Sequence, residues 1–165
     1  GATTPLHLAA ARTDNQAVIT VLLEAGANPE ARIIDGATPL HSAASYNNAV
    51  VVMTLLEGGA DINALDQNGL TPLHRAAMFG DSDSVVTILV EAGSDLEARG
   101  VFGLTPLHWA ASNSHNATVM TALLDAGASA STVSPNGYTP FDLIPDGSPL
   151  QGTDVYWRLN EGRFE

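Results

Sequence analysis

Apolar residues along the chain fall into short helical stripes separated by polar links and glycines, and the stripes recur. Leu6, Ala9 and Ala10 stand at i, i+3 and i+4, the spacing of one face of a short helix. After a polar link a second stripe follows, with Val18, Ile19, Leu22 and Leu23 facing inward. Both stripes return three times. Paired alanines stand at 43/44, 76/77 and 110/111, keeping that face flat so that neighbouring helices can approach closely. The second stripes are Val51, Val52, Leu55 and Leu56; then Val85, Val86, Leu89 and Val90; then Val119, Met120, Leu123 and Leu124. Gly26, Gly59, Gly93 and Gly127 close these second helices, where a left-handed C-cap is expected. Ten residues later come Gly36, Gly69, Gly103 and Gly137, each two residues before a threonine. That length suits an outward hairpin-like turn. A helix pair this small cannot bury its own apolar faces, so stacking on neighbours has to supply the core.

Each unit opens the same way. Thr4-Pro5-Leu6-His7 returns at 38–41, 71–74 and 105–108, and a worn copy, Thr139-Pro140-Phe141-Asp142, closes the series; the first positions lie 34, 33, 34 and 34 residues apart. The threonine is a good N-cap, because its hydroxyl accepts a hydrogen bond from a free first-turn N–H. Proline then takes the first helical position, where its missing N–H costs nothing. Thr-Pro-Leu-His-x-Ala at a period of about 33 resembles the ankyrin repeat, and the likeness covers essentially the whole chain. It implies an all-α ankyrin-repeat solenoid of stacked helix-turn-helix units joined by hairpin-like loops. The concave side would be built from first helices and loop tips. Four repeats are expected at about 4–37, 38–70, 71–104 and 105–138, so that 1–138 forms the array. Residues 139–165 read as a degenerate fifth repeat that serves as a C-terminal cap. Pro145 stops its first helix early, and a second helix from about Thr153 to Asn160 offers Val155, Tyr156 and Leu159 to cover repeat four.

From threonine to closing glycine the second repeat counts 21 residues and the other three count 22. The extra residue falls in the polar links 12–16, 79–84 and 113–116, where a surface loop absorbs it cheaply. These Asn-rich links resemble those of some bacterial ankyrin arrays, which points to a bacterial protein, cytoplasmic or exported. The chain begins at Gly1, almost on a repeat motif, with neither an initiator Met nor a signal peptide, and is expected to be a piece of something longer.

At 165 residues the chain is one domain by length, and its apolar runs fall far short of the roughly 18 residues that a membrane span needs. It has no Cys, which excludes disulfides and Cys-based metal sites. The formal net charge is −12, and all six basic side chains are arginine. Duplex binding needs clustered Lys and Arg, and anionic membranes attract the same residues, so nucleic acid and membrane surfaces are poor partners. A protein partner of basic character is favoured instead. A monomer without a metal or cofactor is expected.

His7, His41, His74 and His108 recur once per repeat and invite a metal or catalytic reading. In ankyrin arrays the equivalent ring bonds the threonine and neighbouring backbone, and stacking sets such rings side by side rather than around one point. The structural role is therefore favoured. His115 lies in the link of repeat four, with no Asp, Glu or His near it at a metal-binding spacing, and reads as solvated. No nucleophile–base pair, Gly-x-Ser-x-Gly or phosphate loop is present, so no catalytic residue is assigned. Glu24, Glu57, Glu91 and Asp125 each stand two residues before a closing glycine and should form an acidic row along one edge. A solvated helix end is the favoured reading; acids at helix C-termini oppose the dipole, however, so helix stability does not explain them, and a partner with a basic stripe would.

The aromatics carry the best site signal. Ankyrin arrays contact partners through loop tips, the residue before the threonine, and positions in and after the first helix. Phe102 lies on a tip, Tyr138 stands before a threonine, Trp109 follows a motif histidine, and Tyr46 and Phe79 follow the paired alanines by two. Tyr, Trp and Arg are also enriched at binding hot spots. A groove floor running from Tyr46 through Arg75, Met78 and Phe79 to Trp109 is the sharpest expectation, and the alternative is that some of these rings pack between repeats and are only half exposed. The tips extend it. Ile33, Ile34 and Val101 put apolar groups on exposed turns, and Arg32, Leu65 and Arg99 hold equivalent tip positions, where the arginines are expected to pair with acids of a partner. Ile33 and Ile34 are alternatively read as having covered a missing N-terminal segment. The reading is a non-catalytic protein–protein interaction module. Its rivals are a targeting or regulatory arm of a longer effector or enzyme, and an enzyme or small-ligand binder using the histidine and acid rows.

Overall fold

The computed structural model describes residues 1–46, 48–79, 83–113 and 117–164. Helices pair along the chain: α1 (Pro5–Arg12) with α2 (Gln16–Glu24), α3 (Pro39–Ser45) with α4 (Ala49–Glu57), α5 (Pro72–Phe79) with α6 (Asp83–Glu91), and α7 (Pro106–Asn113) with α8 (Ala117–Asp125). First helices stack on first helices and second on second, from one end of the molecule to the other. This is the all-α solenoid that the stripes require. Among the described residues there is no strand, and no helix is long and apolar enough to cross a membrane.

Local chemistry sets the helix ends. Pro5, Pro39, Pro72 and Pro106 each take the first helical position, and the hydroxyls of Thr4 and Thr71 accept the N–H of His7 and His74 at 3.4 and 3.3 Å. At the far end of each pair, Gly26, Gly59, Gly93 and Gly127 adopt φ of 87, 86, 97 and 98°. That left-handed turn lets the next N–H, on Ala27, Ala60, Ser94 or Ala128, reach back to a leucine carbonyl at 2.9–3.0 Å. Buried leucines, valines and alanines from all four pairs form one continuous core running from Leu6 to Leu159. The alanines at 43/44, 76/77 and 110/111 lie inside it and let the first helices approach closely.

Successive pairs are clipped together by the motif histidines. Within its own unit each ring places Nδ1 at 2.8–2.9 Å from the threonine hydroxyl, and in three units the threonine N–H donates to Nδ1 at 3.1–3.2 Å. Across the unit boundary Nε2 reaches the carbonyl ahead of the next threonine: Ala37 at 3.1 Å, Leu70 at 2.9 Å, Leu104 at 3.1 Å and Tyr138 at 3.1 Å. A ring that accepts at Nδ1 and donates at Nε2 is neutral, in one tautomer. Both nitrogens are thereby used, which leaves no lone pair for a metal.

At the C-terminal end Asp142 takes the histidine's place. Its Oδ2 accepts the Thr139 N–H at 2.9 Å and hydroxyl at 2.7 Å, and Arg163 stands 3.5 Å away. The Thr139 hydroxyl, then its N–H and the Arg163 charge, hold this carboxyl below its ordinary pKa. A 3-10 turn, Phe141–Leu143, replaces a full first helix, and α9 (Asp154–Gly162) packs on it and on α8. The Thr153 hydroxyl caps α9, while Leu150, Val155 and Leu159 are buried beneath it.

Burial pushes His41, His74 and His108 below their ordinary pKa of 6.5, against the opposing pull of their carbonyl hydrogen bonds. As pH falls, the unfolded chain therefore takes up these protons before the folded one does. The stabilisation from the neutral rings is complete above about pH 6.5 and is lost as pH drops toward the lowered values. Unfolding free energies from urea titrations between about pH 7.5 and 5 should fall with acidity, and the midpoints with them, by up to about 1.4 kcal/mol per pH unit for each ring that resists protonation. A midpoint that does not move over this range would contradict the neutral clip.

Candidate partner-binding surface

The first helices and the turns that precede them line a groove of about 490 Å³. Leu8 and Arg12 on α1, Ile33 and Asp35 on the first turn, Tyr46 after α3, and Arg75 and Phe79 on α5 all face it. Tyr46 ends α3 and is 68% exposed, and Phe79 ends α5 and is half exposed. The two residues occupy the same register position in successive units, so the stacked helices carry both to the same groove.

Arg75 enters this groove already engaged. Its Nη2 lies 2.6 Å from Asp66 Oδ2 and 3.6 Å from Asp35 Oδ2. Asp66 is buried, and its other oxygen accepts the N–H groups of Asn68 and Leu70 at 2.8 and 2.9 Å, shaping the second turn. The guanidinium compensates a buried carboxylate, while its Nε is shielded from solvent and meets no acceptor among the described residues. Met78 and Trp109 do not line the groove. Met78 is half-buried, and its carbonyl accepts from Asn113 Nδ2. Trp109 is half-buried as well, with its indole N–H buried and, among the described residues, without an acceptor.

The turn tips are apolar, and two arginines join them. Ile34, Leu65, Phe102 and Tyr138 are exposed, while Ile33 and Val101 are half-buried. Arg32 donates from Nη1 to the Gly36 carbonyl at 3.0 Å and also to the Leu65 carbonyl of the next turn. Arg99 repeats this two units on, to Gly103 at 3.2 Å and Val133 at 3.0 Å. Each arginine thus ties its own turn to the one after it. Phe102 is the one residue other than glycine with positive φ among the described residues, at 63°, and it holds this left-handed conformation with 70% of its surface exposed.

Residues that the sequence pattern passed over complete the surface. Leu8 and Ser42 occupy the position of Arg75 and Trp109 in the first two units, and they line the groove. Val133 adds an exposed apolar tip, and Trp157 and Phe164 are exposed on the C-terminal segment. Glu24, Glu57, Glu91 and Asp125 are all exposed, and Asp125 pairs with Arg158 at 2.7 Å. His115 lies outside the described residues.

A family model for ankyrin repeats in three copies matches residues 6–100 and again 76–143. The chain belongs to the ankyrin repeat family. A comparison with curated proteins finds no match. Ankyrin repeats are generally protein–protein interaction modules and are typically not catalytic. In this ankyrin array the histidine row belongs to the framework. Among the described residues no group of three or more His, Asp or Glu side chains is placed to hold a metal ion.

Two variants separate framework from surface. Arg75→Met leaves the buried Asp66 carboxylate short of its charged partner and should cost about 1–3 kcal/mol of stability. Phe102→Gly removes the steric cost of a left-handed phenylalanine and should raise stability by about 1 kcal/mol. Urea denaturation reads both. A stabilised Arg75→Met or a strongly destabilised Phe102→Gly would show that the array uses these side chains differently.

Proposed function

We propose that this array is a rigid, non-catalytic module for binding a protein partner, with the groove between α1, α3 and α5 and the adjoining apolar tips as its contact surface. One observation carries the reading: Tyr46 and Phe79 are both exposed at the ends of the stacked helices α3 and α5, and both line one groove with Leu8 and Ile33. Large rings held at helix ends lose little freedom on docking, so a few of them can dominate affinity. Exposed rings at these positions contribute little to a core that is built from leucine, valine and alanine.

The four helix pairs serve as the binding array, and residues 139–165 serve as its cap. Tip residues Ile34, Leu65, Val101, Phe102 and Tyr138 extend the contact beyond the groove. Trp109 and Met78 offer part of their surface further along the array. Arg32, Arg75 and Arg99 act by holding the turns in place. The phenylalanine kept in a left-handed conformation at an exposed tip fits the same assignment, because strain of this kind concentrates where a side chain is presented for contact. A net charge of −12, with Glu24, Glu57 and Glu91 exposed in a row, favours a partner of basic character. That charge acts chiefly on association rate and salt dependence.

The test is capture of a partner from the source with wild type beside a Tyr46→Ala, Phe79→Ala double variant and an Ile34→Ser, Phe102→Gly double variant. Arg75 is left intact because its loss would unsettle the turns. The groove variant should melt like wild type and bind at least about 30-fold more weakly, since two hot-spot rings together exceed about 2 kcal/mol. Undiminished capture by a folded groove variant would remove the groove from the contact surface.

A further inference from the structure

The second helices have an outward face as regular as their inward one, and one helix departs from it. On α6 that face begins with Ser84 and Thr87, on α8 with Thr118 and Thr121, and on α2 with Ala17 and Thr20. On α4 the same two positions hold Val50 and Met53, which are 45% and 49% exposed. The core does not call for them, because Val51, Val52 and Leu55 of the same helix are completely buried within it. Ser84 and Thr87 are exposed although α6 is packed between α4 and α8, so these positions face outward in the middle of the array. A scattered exposed valine needs no explanation; two aliphatic side chains on one helix face, where every stacked equivalent is small or polar, do.

The charge of this face has one sign. Helices α2, α4, α6 and α8 together contain five carboxylates, Glu24, Glu57, Asp83, Glu91 and Asp125, and no basic residue. All five are exposed. Glu57 continues the stripe of Val50 and Met53 at i+7, and Glu24 and Glu91 hold its place on the packed neighbours α2 and α6. These glutamates end their helices, where the dipole opposes them. Among the described residues no ion pair reaches Glu24, Glu57 or Glu91. Between α6 and α8 the face opens into a furrow of about 550 Å³ whose walls carry Asp83, Glu91 and Asp125 and no arginine. The row meets one cation within the protein. Arg158 on α9 places Nη2 at 2.7 Å from Asp125 Oδ1, while Val155 and Leu159 of the same helix are buried. A helix that carries aliphatic side chains and an arginine is thus what this row already receives.

We propose that the outer face of α2, α4 and α6, centred on Val50 and Met53, is a second docking surface, and that its occupant is a basic amphipathic helix of a partner protein. This face is built by the second helices and is separate from the groove, which the first helices line. Charge complementarity identifies the occupant. Its aliphatic stripe covers Val50 and Met53, and arginines or lysines on either side of that stripe reach Glu24, Glu57 and Glu91. Packed helices lie about 8–10 Å apart, so the three carboxylates are spaced to be met from one docked helix. A second copy of this chain would set one acidic face against another, and an anionic bilayer would repel the same carboxylates.

The probe is a fluorescein-labelled peptide of about 18 residues with leucines along one helical face and arginines elsewhere. A second peptide has the same composition in an order without helical period. Both are titrated by anisotropy against the full chain and against two double variants. Val50→Ser, Met53→Thr gives α4 the residues that α6 carries at these positions, so this variant should fold and melt like wild type. Tyr46→Ala, Phe79→Ala alters the groove alone. The patterned peptide should bind wild type and the groove variant equally, and bind Val50→Ser, Met53→Thr at least about 10-fold more weakly. Glu57→Gln, Glu91→Gln should flatten the dependence of its affinity on salt. The proposal is overturned if neither peptide binds, if the unpatterned peptide binds as tightly, or if Val50→Ser, Met53→Thr leaves the affinity unchanged. Loss of binding in the groove variant would overturn it by seating the peptide in the groove. Sedimentation of wild type as a dimer that Val50→Ser, Met53→Thr dissociates would give the face to a second copy. Attachment to phosphatidylcholine vesicles that the same variant abolishes would give it to a bilayer, and either result overturns the proposal.

Discussion

The array depends on a histidine held neutral between two backbones. Nδ1 accepts from the threonine that opens a unit, and Nε2–H crosses to the carbonyl that precedes the next threonine, at 2.9–3.1 Å in all four units. One ring therefore fixes both a helix start and the distance to its neighbour. The helix pairs are too small to hold a core alone, so their stability lies in the boundaries that these rings define. Asp142 shows the converse. A carboxylate there suffices to satisfy Thr139, and Arg163 compensates its charge.

Two further rows of hydrogen bonds run along the outside of the stack. Glu30, Asn63 and Glu97 each accept an N–H from the following unit, and Arg32 and Arg99 each donate to a carbonyl of the following turn. With the histidines inside and these bonds outside, neighbouring units are held at more than one point and resist swivelling. The groove between α1, α3 and α5 inherits that rigidity. Tyr46 and Phe79 are presented at fixed spacing because the helices that carry them cannot slide past one another.

The framework was legible in the sequence because it makes local demands on residue type. An N-cap calls for threonine, a first helical position tolerates proline, and a left-handed C-cap calls for glycine; each appears at its expected place with the expected conformation. The exposure of Tyr46, Phe79 and Phe102 followed from the same register. Contacts to backbone carbonyls were not legible, because a carbonyl carries no residue identity. Arg32 and Arg99 therefore read as free to meet a partner, and the structure shows them tied to the next turn. The engagement of Arg75 depends on the second turn folding back over α5, which brings Asp66 within 2.6 Å. Periodicity places Trp109 on the groove side of α7 but does not fix its depth, and the structure leaves its N–H inside.

The most direct test of this account is the tautomer and titration of the buried rings, read from the two ring nitrogens by NMR. His41, His74 and His108 should show a protonated Nε2 and an unprotonated Nδ1, and should hold that state below the pH at which an exposed histidine charges. A protonated Nδ1, or titration of these rings at the ordinary histidine value in the folded chain, would contradict the clip and the rigidity derived from it.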